Sequence, residues 1–414
     1  MTTQTDSDHT AAAGLPAFPQ ERSAQCPFDP PAAYRDWRQT EGLQRARMWD
    51  GSQVWVVTRY EDIRTALGDP RVSADVTRPG FPRISPGSGA RRRKEEIVFA
   101  RMDDPRHAEH RRMLTRFFTV KRAEAMRPDI EKLVHDSLDH MIASGRPADL
   151  VSQFALPVPS KVIALLLDIP YEDHAFFQDN SQKLFDLSAP ATEVRAAVEA
   201  LSSYLFEHID RKGREPGDDL VGRLVAERIA TGELTREEAA PMTLALLAAG
   251  HETTANMIGL GTLALLRHPE QLALMRDSDD PRVIAGAVEE LLRYLTVADN
   301  VIVRMAREDL TIGGQHVRAG EGLMFSLPSG NRDEAFLDSD PDTLDIRRPA
   351  AGHLAFGYGV HQCLGQNLAR AELQIALPAL LRRLPGLRLA IPFEDVAFRR
   401  HTALYGLTEL PVTW

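Results

Sequence analysis

The chain is 414 residues long, 43% apolar, and carries 59 acidic against 49 basic residues for a net charge of −10. That apolar content supports a large core and excludes disorder for the chain as a whole, while the acidic balance argues against a protein that wraps nucleic acid. Its two cysteines, Cys26 and Cys363, lie far apart, which excludes a disulfide framework, a CxxC redox pair and a cysteine-rich zinc site.

The N-terminal stretch Met1 to Ala13 is polar and lacks Lys and Arg, so no secretory signal is expected. Residues 1–24 read as a flexible arm and 25–414 as a single domain. A β-branched run, Gln53 to Thr58, predicts a strand. Residues 76–95 follow as a Pro-, Gly- and Ser-rich loop ending in a basic run, Arg91-Arg92-Arg93-Lys94. Amphipathic patterns then predict helices over 107–119, 121–143, 194–212, 235–267 and 282–295. Short strands are predicted at Val301 to Ala306 and Gly322 to Leu327. After a second loop at 328–353 come a helix over 366–384 and a strand at Leu387 to Ile391. No run reaches the ~18 consecutive apolar residues of a membrane span. The most apolar candidate, Pro241 to Gly250, stops at His251-Glu252. The fold class expected is mainly α with a small β portion. A soluble monomer in a reducing cytoplasm is expected, with both thiols free.

The segment Phe356-Gly357-Tyr358-Gly359-Val360-His361-Gln362-Cys363-Leu364-Gly365 carries the most chemistry. Its closely spaced glycines permit a tight turn, and the helical pattern that follows places Cys363 at or just before a helix N-terminus. Backbone N–H groups and the helix dipole favour a thiolate there, a suitable axial ligand for a soft metal. A lone cysteine is otherwise a small buried hydrophobe, and Cys26, with no His or acid beside it, reads as an unemployed thiol. The FGxGxHxCLG pattern resembles the haem-binding loop of the cytochromes P-450, whose cysteine thiolate is the axial ligand of haem iron. No CxxCH is present, so haem b would be held without thioether links.

The helix over 235–267 contains Ala249-Gly250-His251-Glu252-Thr253-Thr254. Thr235 and Glu238 have capping-box spacing at its start. Thr253 is placed to bond back to the Ala249 carbonyl, which opens a helix locally. A zinc-protease HExxH fails at Ala255, and the GxGxxA at Gly259 lies inside a helix rather than after a strand. The segment resembles the oxygen-activating helix of the P-450 family, with Glu252 and Thr253 as the acid–alcohol pair. Pro241 is expected to kink the early turns.

Further phrases resemble the family in order and spacing, from about Phe28 to the C-terminus. Glu290-Leu291-Leu292-Arg293 resembles its ExxR, with Arg348 in Leu344-Asp345-Ile346-Arg347-Arg348 as the third member of a structural core. His107 and Arg111 share a helix face. With Arg304 and His361, they resemble the groups that hold haem propionates. The resemblance also implies haem contacts at Phe356, Ala249, Gly250, Gly357 and Gly365, with Cys363 on the metal.

It implies a single haem-centred domain that inserts one atom of O2 into a bulky, mainly apolar small molecule, as a hydroxylation or epoxidation in secondary metabolism. Electrons would come from NAD(P)H through a ferredoxin reductase and a ferredoxin docked on a local basic patch, with Arg106, His110 and Arg112 as candidates. Alternatives are a broad-specificity xenobiotic, steroid or drug hydroxylase, a peroxide-driven enzyme, and a non-catalytic haem sensor or carrier. Pocket residues expected are Leu246, Leu247, Val297, Ala298 and Leu404. Arg78, Arg83 and Arg91 either bind a substrate carboxylate or are ordinary solvated loop charge.

Overall fold

The computed structural model describes residues 14–89 and 97–414. Its helices of seven or more residues are α1 (Ala33–Gln39), α2 (Tyr60–Gly68), α3 (Arg106–Thr115), α4 (Val120–Ala143), α5 (Pro157–Leu167), α6 (His174–Phe185), α7 (Ala191–Arg214), α8 (Arg236–Arg267), α9 (Pro269–Asp277), α10 (Pro281–Leu295) and α11 (Gln366–Arg383). One sheet combines β1 (Gln44–Arg47), β2 (Gln53–Val57), β3 (Val72–Ser73), β4 (Val303–Ala306) and β5 (Gly322–Phe325) in the order β1-β2-β5-β4-β3. The β2–β5 pair is parallel and the other pairs antiparallel. A late hairpin joins β6 (Phe398–Arg399) to β7 (Gly406–Leu407).

Local chemistry sets the ends of the helices. Thr119 caps α4 through the Arg122 N–H, and the predicted capping box between Thr235 and Glu238 opens α8. Asp280 caps α10, with Pro281 in the first helical position, where no N–H is needed. The expected kink at Pro241 does not break α8, which continues from Arg236 to Arg267. Most of α8 is buried, between α5, α7 and α11. Every residue of β4 and β5 is buried too, as expected for strands covered on both faces.

The predicted helices and strands are present with ends shifted by a few residues, whereas α1, α2, α5, α6 and α9 lie outside the predicted elements. The Pro157-Val158-Pro159 start of α5 disguises a helix that is buried on most sides. Part of the expected arm is also firmly packed. Phe18 is buried against Tyr34, the Phe18 N–H donates to the Arg47 carbonyl, and Arg22 pairs with Asp299 at 3.0 Å. Residues 14–24 therefore belong to the body. The basic run at 91–94 lies outside the described residues.

A buried ion cluster links α10 to the loop that precedes Cys363. Glu290 and Arg293 form a two-pronged pair at 2.7 and 2.8 Å, both fully buried, and Arg348 Nε lies 3.5 Å from Glu290. The remaining Arg293 N–H groups donate to the carbonyls of Asn331, Pro341 and Thr343, which shapes the 331–343 segment. Asn331 in turn donates to Thr296 and accepts the Leu354 N–H. Beside it, Glu289 binds His353 and Arg370; burial would raise its carboxyl, but these two partners hold it down to about 2. Removing one member of such a cluster strands the other charges in the core. Glu290→Ala should lower stability by ~3–5 kcal/mol in urea titrations of the full chain; a loss below 1 kcal/mol would show that the cluster does not hold the loop.

Candidate functional site

The loop supported by these ion pairs delivers Cys363 to the edge of a cavity between α8 and α11. Gly357 and Gly359 take φ values of 71° and 73°, and a Cβ on Gly359 would lie 2.3 Å from the Leu67 carbonyl oxygen. Both glycines are thus required, one for its conformation and the other for space as well. The Cys363 N–H closes the loop on the Phe356 carbonyl at 2.8 Å, and α11 begins three residues later. Cys363 is exposed to the cavity it lines, yet the protein packed around it pushes its thiol up by desolvation, against N–H donation from Gly365 and Gln366 and the charges of Arg111 and Arg370. The helix start therefore offers the expected donors, but their effect alone does not overcome desolvation.

The cavity encloses about 320 Å³ reachable by the centre of a water-sized sphere. Cys363, Phe356, Gly357 and Gly365 line it on the loop side. Ala249, Gly250, Thr253 and Leu246 line it from α8, with Val297 and Ala298 at its far end. Thr253 Oγ1 donates to the Ala249 carbonyl at 2.9 Å, as its spacing predicts. Gly250 lets α5 approach closely, since a Cβ there would lie 2.9 Å from Ile163 Cδ1.

At the edge of the cavity the chain gathers basic groups from separate segments. Arg111 reaches from α3 and donates to the Gln362 carbonyl at 2.7 Å. The His107 ring lies 4.0 Å from that of His361, while its Nδ1 faces Asp104 at 3.0 Å. Arg304 is buried on β4; burial and neighbouring Arg101 lower its guanidinium to about 9. Burial, with Arg304, His107, Arg111 and Arg101 nearby, depresses His361 to about 3. Among the described residues, His107 Nε2 and His361 Nδ1 have no hydrogen-bond partner. Arg101 joins this cluster without having been expected; it was one arginine in a loop, with no periodic context.

Other expected residues lie elsewhere. Glu252 does not line the cavity: its Oε2 accepts from Arg399 at 2.9 Å and its Oε1 lies 3.6 Å from His251 Nε2. Burial would raise the Glu252 carboxyl, but His251 and Arg399 hold it below the usual carboxylate range. Acid and alcohol are adjacent in sequence but face different ways. Leu247 lines a separate narrow cleft, and Leu404 backs the cavity by bridging to Ala298. Arg78 donates to Ser73 Oγ and lies 3.6 Å from Asp103, while Arg83 is exposed; neither lines the cavity. Of the two readings of these arginines, ordinary loop charge is the one their positions favour, with Asp103 beside Arg78 and Arg83 exposed. Arg91 lies outside the described residues. Glu372, on the buried face of α11, does line the cavity, and burial raises its carboxyl well above the usual range. An acid at an apolar position of the 366–384 helix was the signal for it.

The cytochrome P-450 family model matches residues 218–387. Pentalenic acid synthase of Streptomyces avermitilis is 48% identical, over 98% of this chain and 99% of its own length. This chain belongs to the cytochrome P-450 family. Vitamin D3 dihydroxylase of Streptomyces griseolus is 50% identical, over 96% of this chain and 97% of its own. The solved structure of the mycinamicin VIII C21 methyl hydroxylase MycCI from Micromonospora griseorubida, bound to mycinamicin VIII, superposes with a TM-score of 0.90 at 40% identity, covering 97% of this chain and all of that one. The protein is thus a P-450 monooxygenase, an enzyme class that works with haem iron and O2.

The residues present fit haem. A mainly apolar slot runs past a cysteine sulfur, and a cluster of buried and half-buried basic groups with unpartnered ring nitrogens marks one edge. Two propionates at that edge would answer the charge; like charges gathered in a medium of low dielectric otherwise repel. If Arg101 and Arg304 meet the propionates, then Arg101→Ala and Arg304→Ala should each speed haem transfer to an apo-globin acceptor by about tenfold. Arg78→Ala should leave that rate unchanged, and equal rates in all three would exclude the contact.

Proposed function

We propose that the protein hydroxylates or epoxidises a bulky, mainly apolar secondary metabolite, with Cys363 as the thiolate ligand of haem b and Thr253 opposite it. The observation that carries this reading is that Cys363 and Thr253 line one cavity whose walls are otherwise mainly apolar, with Met257, Val297, Val301 and Ile302 among them. Bound haem supplies the redox chemistry that activates O2 and transfers one oxygen atom. Arg101, Arg111, Arg304, His107 and His361 hold its acidic edge. The Gly357–Gly359 turn and the N–H groups of Gly365 and Gln366 orient the sulfur. Apolar walls exclude water and position the substrate. Thr253, whose hydroxyl hydrogen is held by the Ala249 carbonyl, presents its oxygen toward the cavity and can accept and pass on a proton there. Glu252, itself held as a carboxylate, relays that proton once it is protonated, by turning away from Arg399.

Electrons arrive from NAD(P)H through a reductase and a ferredoxin. Two of the expected docking residues are otherwise engaged: Arg106 pairs with Glu238, and His110 is buried. Arg112 is exposed on α3, and Val360, 57% exposed, projects from the cysteine loop. A basic and apolar pair suits an acidic partner with an apolar centre. The alternative of a broad-specificity hydroxylase draws support from the vitamin D3 dihydroxylase relative.

Thr253→Ala tests the assignment. Product formed per NADPH consumed should fall about tenfold or more, whereas turnover driven by hydrogen peroxide should be spared. Unchanged coupling would remove Thr253 from proton delivery.

A further inference from the structure

His251, which immediately precedes the acid, is the residue that the function above does not use. Its side chain is 2% exposed. It ends a narrow cleft between α5, α6 and α8 that is lined also by Ser160, Tyr171, His174 and Gln178. That cleft offers about 10 Å³ to the centre of a water-sized sphere, close to what one water needs.

Two hydrogen-bond facts fix the protons on this ring. Nδ1 lies 2.8 Å from the Leu247 carbonyl oxygen, which can only accept, so Nδ1 carries hydrogen. A neutral ring would then present a bare lone pair at Nε2. Nε2 faces Glu252 Oε1 at 3.6 Å, and among the described residues neither atom has another hydrogen-bond partner. A bare imidazole nitrogen opposite a carboxylate oxygen, both buried, is strongly unfavourable; one further proton between them removes the conflict. The other Glu252 oxygen is already taken by Arg399, which also lines a surface cleft with Asp179 and Lys183. The titratable or charged groups facing the pair are thus Glu252 on α8, Tyr171 and His174 at the cleft, and Arg399 on β6.

We propose that His251 is the proton store for Glu252, a positioning residue that keeps a second ring proton one step behind the acid. The proposal rests on the reading that Glu252 supplies protons toward Thr253. Glu252 rests as the carboxylate; when the cavity draws a proton, the Nε2 proton moves to Oε1 and Glu252 passes it on. The ring is left neutral, with Nδ1–H still on the Leu247 carbonyl. Water entering between α5 and α6 then returns a proton to Nε2. Each cycle takes one proton from solvent and delivers one to the carboxylate, with no electrons moved.

The test begins with nitrogen-15 histidine NMR of the intact haem-loaded, carbon monoxide-bound protein at neutral pH, with His251 assigned from the His251→Gln spectrum. Both ring nitrogens of His251 should be protonated in the wild type. In Glu252→Gln, Nε2 should become bare, because the amide N–H can donate to it. A bare Nε2 in the wild type, or one unaffected by Glu252→Gln, overturns the proposal. The second arm measures coupling against pH in His251→Phe and His251→Gln. Product per NADPH should fall about tenfold in both and decline further as pH rises, while the wild type stays level over the same range. Unchanged, pH-independent coupling in both variants also overturns it. If Thr253→Ala and Glu252→Gln leave coupling intact, the underlying reading fails instead; if they uncouple the enzyme and His251→Phe does not, only the proton store fails.

Discussion

A cluster of buried and half-buried basic groups with few acids to match them is the constraint around which this structure is organised. Arg101, Arg111, Arg304, His107 and His361 converge from a short 3-10 turn, α3, β4 and the cysteine loop. Few carboxylates answer them: Asp103 accepts from Ser73 and the Ala74 N–H, and Asp104 meets only His107, along with the Ala108 N–H. Each basic group is costly to bury alone, and their mutual repulsion makes the set worse. A dianionic edge inserted among them turns the same arrangement into a binding site. Burial first, and the neighbouring positive charges after it, depress both Arg304 and His361.

A second buried cluster faces the opposite problem and solves it internally. Glu290, Arg293 and Arg348 are paired with one another and with backbone carbonyls, and Glu289 joins α10 to His353 and Arg370. These ion pairs fix a long irregular segment that has little regular secondary structure to hold it. The rigid segment sets the position of Phe356, Gly357 and Cys363 relative to α8. One cluster therefore builds the frame and the other suits an acidic ligand.

The sequence was most legible where a residue type had a strict steric or capping duty. Gly357 and Gly359, the Thr235–Glu238 capping box and the Thr253 back-bond were readable for that reason, because each depends on neighbours within a few residues. Interactions over long separations were not readable. Glu252 turns from the cavity because Arg399, 147 residues later, reaches it from β6. Arg22 anchors the expected arm because it packs over Tyr405 and against Asp299. Arg78 was readable only as a loop arginine, and Asp103 lies 3.6 Å from it; Arg101, which nothing in the sequence singled out, lies near Arg304 and His361. The apolar, proline-led α5 illustrates a different limit, since a helix buried on most faces loses the amphipathic pattern by which helices are recognised.

Ligation of haem by Cys363 is the claim on which the rest depends. The most direct measurement is the Soret band of the reduced protein under carbon monoxide, recorded for the wild type and for Cys363→His. A strongly red-shifted band in the wild type, replaced in the variant by the unshifted band of a histidine-bound haem, is the expected result. An unshifted wild-type band, or a red-shifted band that survives in Cys363→His, would contradict the account.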